Sequence, residues 1–147
     1  MKKFLIIATI IVVAVLLKSC FNSEPTVVKA PAGASDSVKH CIDVTVSTGS
    51  TPEEQLKSSV DNYEICKKAL GESAESERGL VLDRLVLNAF SAATKSAKIS
   101  RDMSGSNQVL DDLTSVMEQN KPYAEKSGAF KNIENQRKFI QEKVLAR

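Results

Sequence analysis

Histidine is nearly missing from this chain: His40 is the only imidazole among 147 residues, and it stands beside Cys41. Acid–base chemistry of the commonest kind therefore has one candidate, with no second base indicated near it. The three cysteines include no CxxC pair, which denies a zinc site its usual ligand spacing. No Gly-rich phosphate loop, HExxH or GxSxG occurs. No stripe of Lys and Arg interleaved with aromatics runs along the chain, so the footprint of a nucleic-acid binder is absent too. Glu53-Glu54 and Asp111-Asp112 are adjacent carboxylates, but neighbours on a helix diverge by about 100° and form no catalytic dyad. First-turn acids that favour the helix dipole account for both pairs. The sequence predicts no enzyme, cofactor, metal site or nucleic-acid partner.

What is present begins at the N-terminus. Lys2 and Lys3 precede an unbroken apolar run from Phe4 to Leu17, followed by Lys18, Ser19 and Cys20. Such a segment sends a chain across a membrane, with the lysines left on the cytoplasmic side. As a helix the run spans about 21 Å against a hydrocarbon core of roughly 30 Å, which is signal-peptide length. Continued to Phe21, with Lys18 reaching the headgroups, it spans roughly 27 Å, so an uncleaved anchor stays open. Cleavage and release is a third possibility, although the small residues Ala30, Ala32 and Ala34 lie far beyond the apolar run. Leu17 to Cys20 resembles the lipobox of bacterial lipoproteins, with Leu17 three positions before the cysteine and Ser19 just before it. Lys18 stands where that family has a small or apolar residue. The resemblance covers the leader alone and implies cleavage before Cys20 and lipidation of that cysteine, whose acyl chains would hold the protein to the membrane.

Of the 20 Lys and Arg, three lie in the leader, whereas all 18 Asp and Glu lie beyond Cys20. The exported part is thus close to neutral, and the pI of 8.4 is largely a property of the leader. Its length of about 127 residues suits one domain. Cys41 and Cys66 remain once Cys20 is assigned to the membrane, and in an oxidising compartment such a pair predicts a disulfide.

The expected organisation is a signal peptide or anchor over 1–19, a flexible tether over 20–37 rich in Pro, Gly, Ala and Ser, and a helical domain over 38–147. Val38 to Val46 reads as a short helix capped by Ser35 or Asp36, with an alternating strand-like pattern at Ile42, Val44 and Val46 as the competing reading. Thr51-Pro52-Glu53-Glu54 starts a helix with a capping box, and Gly71 is expected to stop it. In that helix Ile65 falls opposite the apolar stripe and Lys67 falls inside it. The next helix, Ser76 to Ser100, has Leu82, Leu85, Val86, Leu87, Ala89, Phe90, Ala93 and Ala97 over about 200° of its circumference. Neighbours on several sides are required, which makes it the centre of the fold. A narrow polar strip of Arg84, Asn88, Ser91, Lys95 and Lys98 is expected to face solvent. Asn107 is expected to cap a third helix that Pro122 ends, and a fourth runs from Gly128 to Leu145 with Arg137 in its apolar stripe and Phe139 opposite.

The fold class is therefore all-α, a small antiparallel bundle of about four helices behind the membrane-targeting segment and tether. No 34-residue repeat period is present. Ile65, Tyr123 and Phe139, apolar residues on polar faces or in a loop, are the candidate interface anchors. The functional expectation is a membrane-tethered binding or adaptor module on the periplasmic or extracellular side of the cell envelope, contacting another envelope protein in an inhibitory, immunity-like or assembly-accessory role. A carrier of small apolar ligands is the alternative, requiring an interior cavity lined by residues such as Phe90 and Met117.

Overall fold

The computed structural model describes residues 29–43 and 48–146. The leader, Cys20 and the first half of the expected tether lie outside the described residues, as do Val44 and Val46. The described chain is all-helical, with no strand among its residues: α1 Asp36–Asp43, α2 Pro52–Glu72, α3 Glu75–Ser100, α4 Ser104–Gln119, α5 Lys121–Ser127, α6 Ala129–Phe139 and a π-helical turn Ile140–Leu145.

α1 forms as the sequence suggests, with Ser35 Oγ accepting from the Val38 amide at 3.3 Å. Val38, Cys41 and Ile42 are buried on one face. The described part of the expected tether is not loose: Ala34 is buried and Ala30 packs against the core, so the packed domain begins ahead of Val38. α2 opens on the expected capping box, in which Thr51 Oγ1 accepts from the Glu54 amide and Glu54 Oε2 accepts from the Thr51 amide, both at 3.2 Å. Gly71 does not stop this helix. It lies within its last turn, and the chain leaves through extended Ser73, whose hydroxyl donates to the Leu70 carbonyl at 2.8 Å.

α3 is the central element, packing against α1, α2, α4, α5 and the π turn. Val81, Leu82, Leu85, Ala89, Ala92, Ala93 and Ala97 are buried along it. Two expectations for this helix need correction. Leu87, assigned to the core, is 58% exposed. Three residues of the polar strip assigned to solvent turn against α2, where Asn88 Nδ2 donates to Cys66 Sγ at 3.5 Å and Ser91 and Lys95 meet Ser59, while Lys98 is exposed as expected. Hydrogen bonding between the two helices offsets the cost of turning these polar groups inward. Because Ser59 meets Ser91 and Cys66 meets Asn88, α2 and α3 run in opposite directions.

α4 starts earlier than expected. Asp102 Oδ1 accepts from the Ser104 amide at 2.8 Å and its hydroxyl at 2.6 Å, while Asn107 lies a turn inside the helix. α4 ends at Gln119, and Pro122 belongs to the first turn of α5, where its missing N–H costs nothing. Tyr123 is accordingly helical rather than in a loop. Gly128, at φ 67°, closes α5 in the left-handed conformation that glycine adopts without strain.

Candidate functional site

Cys41 and Cys66 are completely buried and bonded to each other, with Cα atoms 4.8 Å apart and a sequence separation of 25. The bond ties α1 to the middle of α2. His40, adjacent but exposed, has no part in it. Among the described residues no group of His, Cys, Asp and Glu is placed to hold a metal ion, and no helix is long and apolar enough to cross a membrane.

The three candidate anchors separate. Ile65 and Tyr123 are half-buried and packed against the core, whereas Phe139 is 48% exposed. Ile65 belongs to α2, which packs on α1 and α3; Phe139 ends α6, which packs on α4 and α5 and runs into the π turn. They form no single patch. The stripe was wider than drawn at Ile65, and the extra helix α5 brought Tyr123 inward.

Phe139 instead belongs to a corner built by the end of α3 and the π turn. One groove of about 590 Å³ is lined by Thr94, Lys98, Phe139, Lys143 and Val144. A second, about 350 Å³, shares Lys98 and Val144 and adds Ala97, Arg101 and Leu145. Lys98, Arg101 and Lys143 have no carboxylate partner among the described residues. Asp102, beside Arg101 in sequence, is engaged elsewhere: the Ser104 hydroxyl and amide, with Ser100, hold its carboxyl below the usual range. Arg101 is the one described non-glycine residue at positive φ, 60°, where its amide closes α3 by donating to the Ala97 carbonyl at 2.8 Å. A left-handed non-glycine residue costs roughly 1 kcal/mol.

A different groove, about 510 Å³, lies between α2, α3 and α4, floored by Leu56, Val60, Ala92 and Val109 and ending at Tyr63, Lys67 and Asp112. The Asp112 carboxylate accepts from the Tyr63 hydroxyl at 2.7 Å and from Lys67 Nζ at 2.7 Å. This bond explains Lys67 inside the apolar stripe of α2. Burial alone would raise the Asp112 carboxyl, but the hydrogen bonds from Lys67 and Tyr63 prevail and hold it below its ordinary value. Burial, then the hydrogen bond to Asp112, drives the Tyr63 phenol far above its ordinary value. Arg137 is explained in the same way, since its guanidinium donates to Asn107 Oδ1 at 2.7 Å and Asp111 Oδ1 at 2.5 Å. The helix-dipole account of Asp111-Asp112 therefore fails: both lie in the middle of α4, and each carboxylate pairs with a different neighbouring helix.

Lys95 Nζ donates to Ser59 Oγ and Ser91 Oγ, each at 2.8 Å. Burial first, and then nearby Lys98, lower its basicity. A lysine of lowered basicity beside a hydroxyl is the raw material of a nucleophilic pair. Ser59, however, is only 1% exposed and donates to the Gln55 carbonyl, so no substrate reaches its oxygen. The cluster is a polar link between α2 and α3.

Sequence reading missed Arg101, Lys143 and Val144. A signal existed for the two cations, because neither has an acidic residue one helical turn away on either side. Searches of protein-family models, curated proteins and solved structures found no match to this chain.

Proposed function

We propose that the chain is a membrane-tethered adaptor of the cell envelope, held by lipidated Cys20 and contacting another envelope protein through the Phe139 corner. In this reading α2, α3, α4 and α6 form an antiparallel four-helix bundle whose far end carries the contact surface. The observation that carries the binding role is a half-exposed aromatic beside Lys98 and Lys143, with Arg101 on the adjoining groove, none of the three cations paired with a carboxylate among the described residues. Interface centres are enriched in aromatic residues and arginine, which Phe139 and Arg101 supply, while Lys98 and Lys143 suit a charged rim. The completely buried Cys41–Cys66 bond supports an oxidising compartment.

Fractionation with intact-mass analysis tests the reading. The expected result is recovery with membranes, a diacyl or triacyl mass on Cys20, and a co-purifying protein that is lost on Phe139→Ser. Recovery from cytosol with three free thiols overturns it, and so does a Phe139→Ser variant that retains every partner.

A carrier of apolar ligands is the second reading, supported by the groove floored by Leu56, Val60, Ala92 and Val109. The interior site that this role was expected to use is occupied: Met117 is fully buried in the core and Phe90 packs against it. The groove itself is half-open to water, whereas ligand sites bury about 70–90% of their ligand. Displacement of an environment-sensitive dye by a fatty acid, abolished by Val60→Glu, is the result this role requires.

A further inference from the structure

Resting on the adaptor reading, we infer that the corner at the end of α3 takes an acidic protein segment carrying an apolar side chain. The chemistry of the lining sets the ligand class. Lys98, Arg101 and Lys143 stand around two adjoining grooves without carboxylate partners among the described residues, so a segment supplying carboxylates meets complementary charge. Phe139 and Val144 form the apolar surface between them, where a side chain of the partner is sheltered from water.

Two backbone features concentrate at the same place. Arg101 is held in a left-handed conformation in which glycine would be unstrained, and the chain beyond Phe139 widens into a π-helical turn. Strained residues and π turns both gather at functional sites. A glycine at 101 would close α3 equally well and lack the guanidinium.

An anionic bilayer would satisfy the same charges, but Phe139 and Val144 line concave grooves, which receive a protruding side chain and which a flat bilayer surface does not fill.

The chain has no tryptophan, so Phe139→Trp in the full-length protein, kept in a neutral detergent, is a single fluorescent reporter at the groove. Leu87→Trp is a reporter remote from it. The probes are a short synthetic peptide of glutamates with leucines one helical turn apart, its glutamine counterpart, and vesicles of phosphatidylglycerol in phosphatidylcholine. The glutamate peptide is expected to give a saturable blue shift at position 139 and none at position 87. Lys98→Glu with Lys143→Glu should raise the midpoint about tenfold or more. Helicity and the Cys41–Cys66 bond are measured on every variant, and Lys98→Gln with Lys143→Gln, expected to give a smaller rise of about threefold, decides the matter if charge reversal disturbs folding. Equal response to the glutamine peptide, indifference to both lysine pairs, or no response overturns the inference. A response to the anionic vesicles in place of the peptide also overturns it and makes the surface a lipid contact. The adaptor reading is tested separately, by the Phe139→Ser co-purification, so failure of the peptide with partner retention by the native corner would sink the ligand class and not that reading.

Discussion

Between Asp36 and Glu72 the chain is clamped by a covalent bond withdrawn from water; between Ala129 and Leu145 it is held by Ile133, Ile140 and a few side-chain hydrogen bonds to α3 and α4. The first region is fixed even when its packing fluctuates, because the bond persists. The second has no covalent bond to the rest, so it is expected to open first, and it carries the exposed Phe139. Stability and the proposed contact surface are thus placed at different ends of the chain, in keeping with the tendency of binding elements to come from the less stable parts of a fold.

The largest effect is expected at the clamp. Cys41→Ala with Cys66→Ala should lower the unfolding free energy by roughly 3.5 kcal/mol, read from the denaturant midpoint, since the bond closes a loop of 25 residues. Ile140→Ala should cost about 3 kcal/mol by opening a cavity at a completely buried position. Its signature differs, however: hydrogen exchange should accelerate first in α6 and the π turn, while amides of α2 and α3 stay protected. Uniform acceleration along the chain would erase the contrast between the two regions.

Asp112→Ala should cost about 2 kcal/mol, because it leaves the buried Tyr63 hydroxyl without its acceptor. The same group predicts a pH response. Its carboxyl is held lower in the fold than in the unfolded chain, so its contribution is present above the ordinary aspartate value of about 3.9 and is lost as pH falls through the folded value. The acid limb of the stability curve should flatten in Asp112→Asn. The smallest effect has the opposite sign: Arg101→Gly should stabilise the fold by up to about 1 kcal/mol while weakening the acidic peptide. A loss of stability there would show that the arginine is retained for the fold.

Local signals were legible in the sequence. Thr51 to Glu54 carried its own capping instructions, the apolar breadth of α3 announced a central helix, and two cysteines left after Cys20 had one another to pair with. Signals that depend on a distant partner were not. Lys67 and Arg137 looked like misfits because their carboxylates are 45 and 26 residues away. Asn88, Ser91 and Lys95 looked solvated because nothing local says that Cys66 and Ser59 lie opposite. Leu87 had the residue type of the core, yet its helix face has no neighbour among the described residues. At the candidate site Phe139 was found from its wrong-face position, while its cationic surroundings come from two segments that meet only in the folded chain.

Asp111 and Asp112 make α4 a yoke. Adjacent residues point about 100° apart, and this divergence lets one helix hold Lys67 of α2 with one carboxylate and Arg137 of α6 with the next. The phase of α4 is therefore set jointly from both sides. Inserting two alanines between Gly105 and Asp111 would swing both carboxylates off their partners together, uncoupling the clamped half of the molecule from the half that bears Phe139.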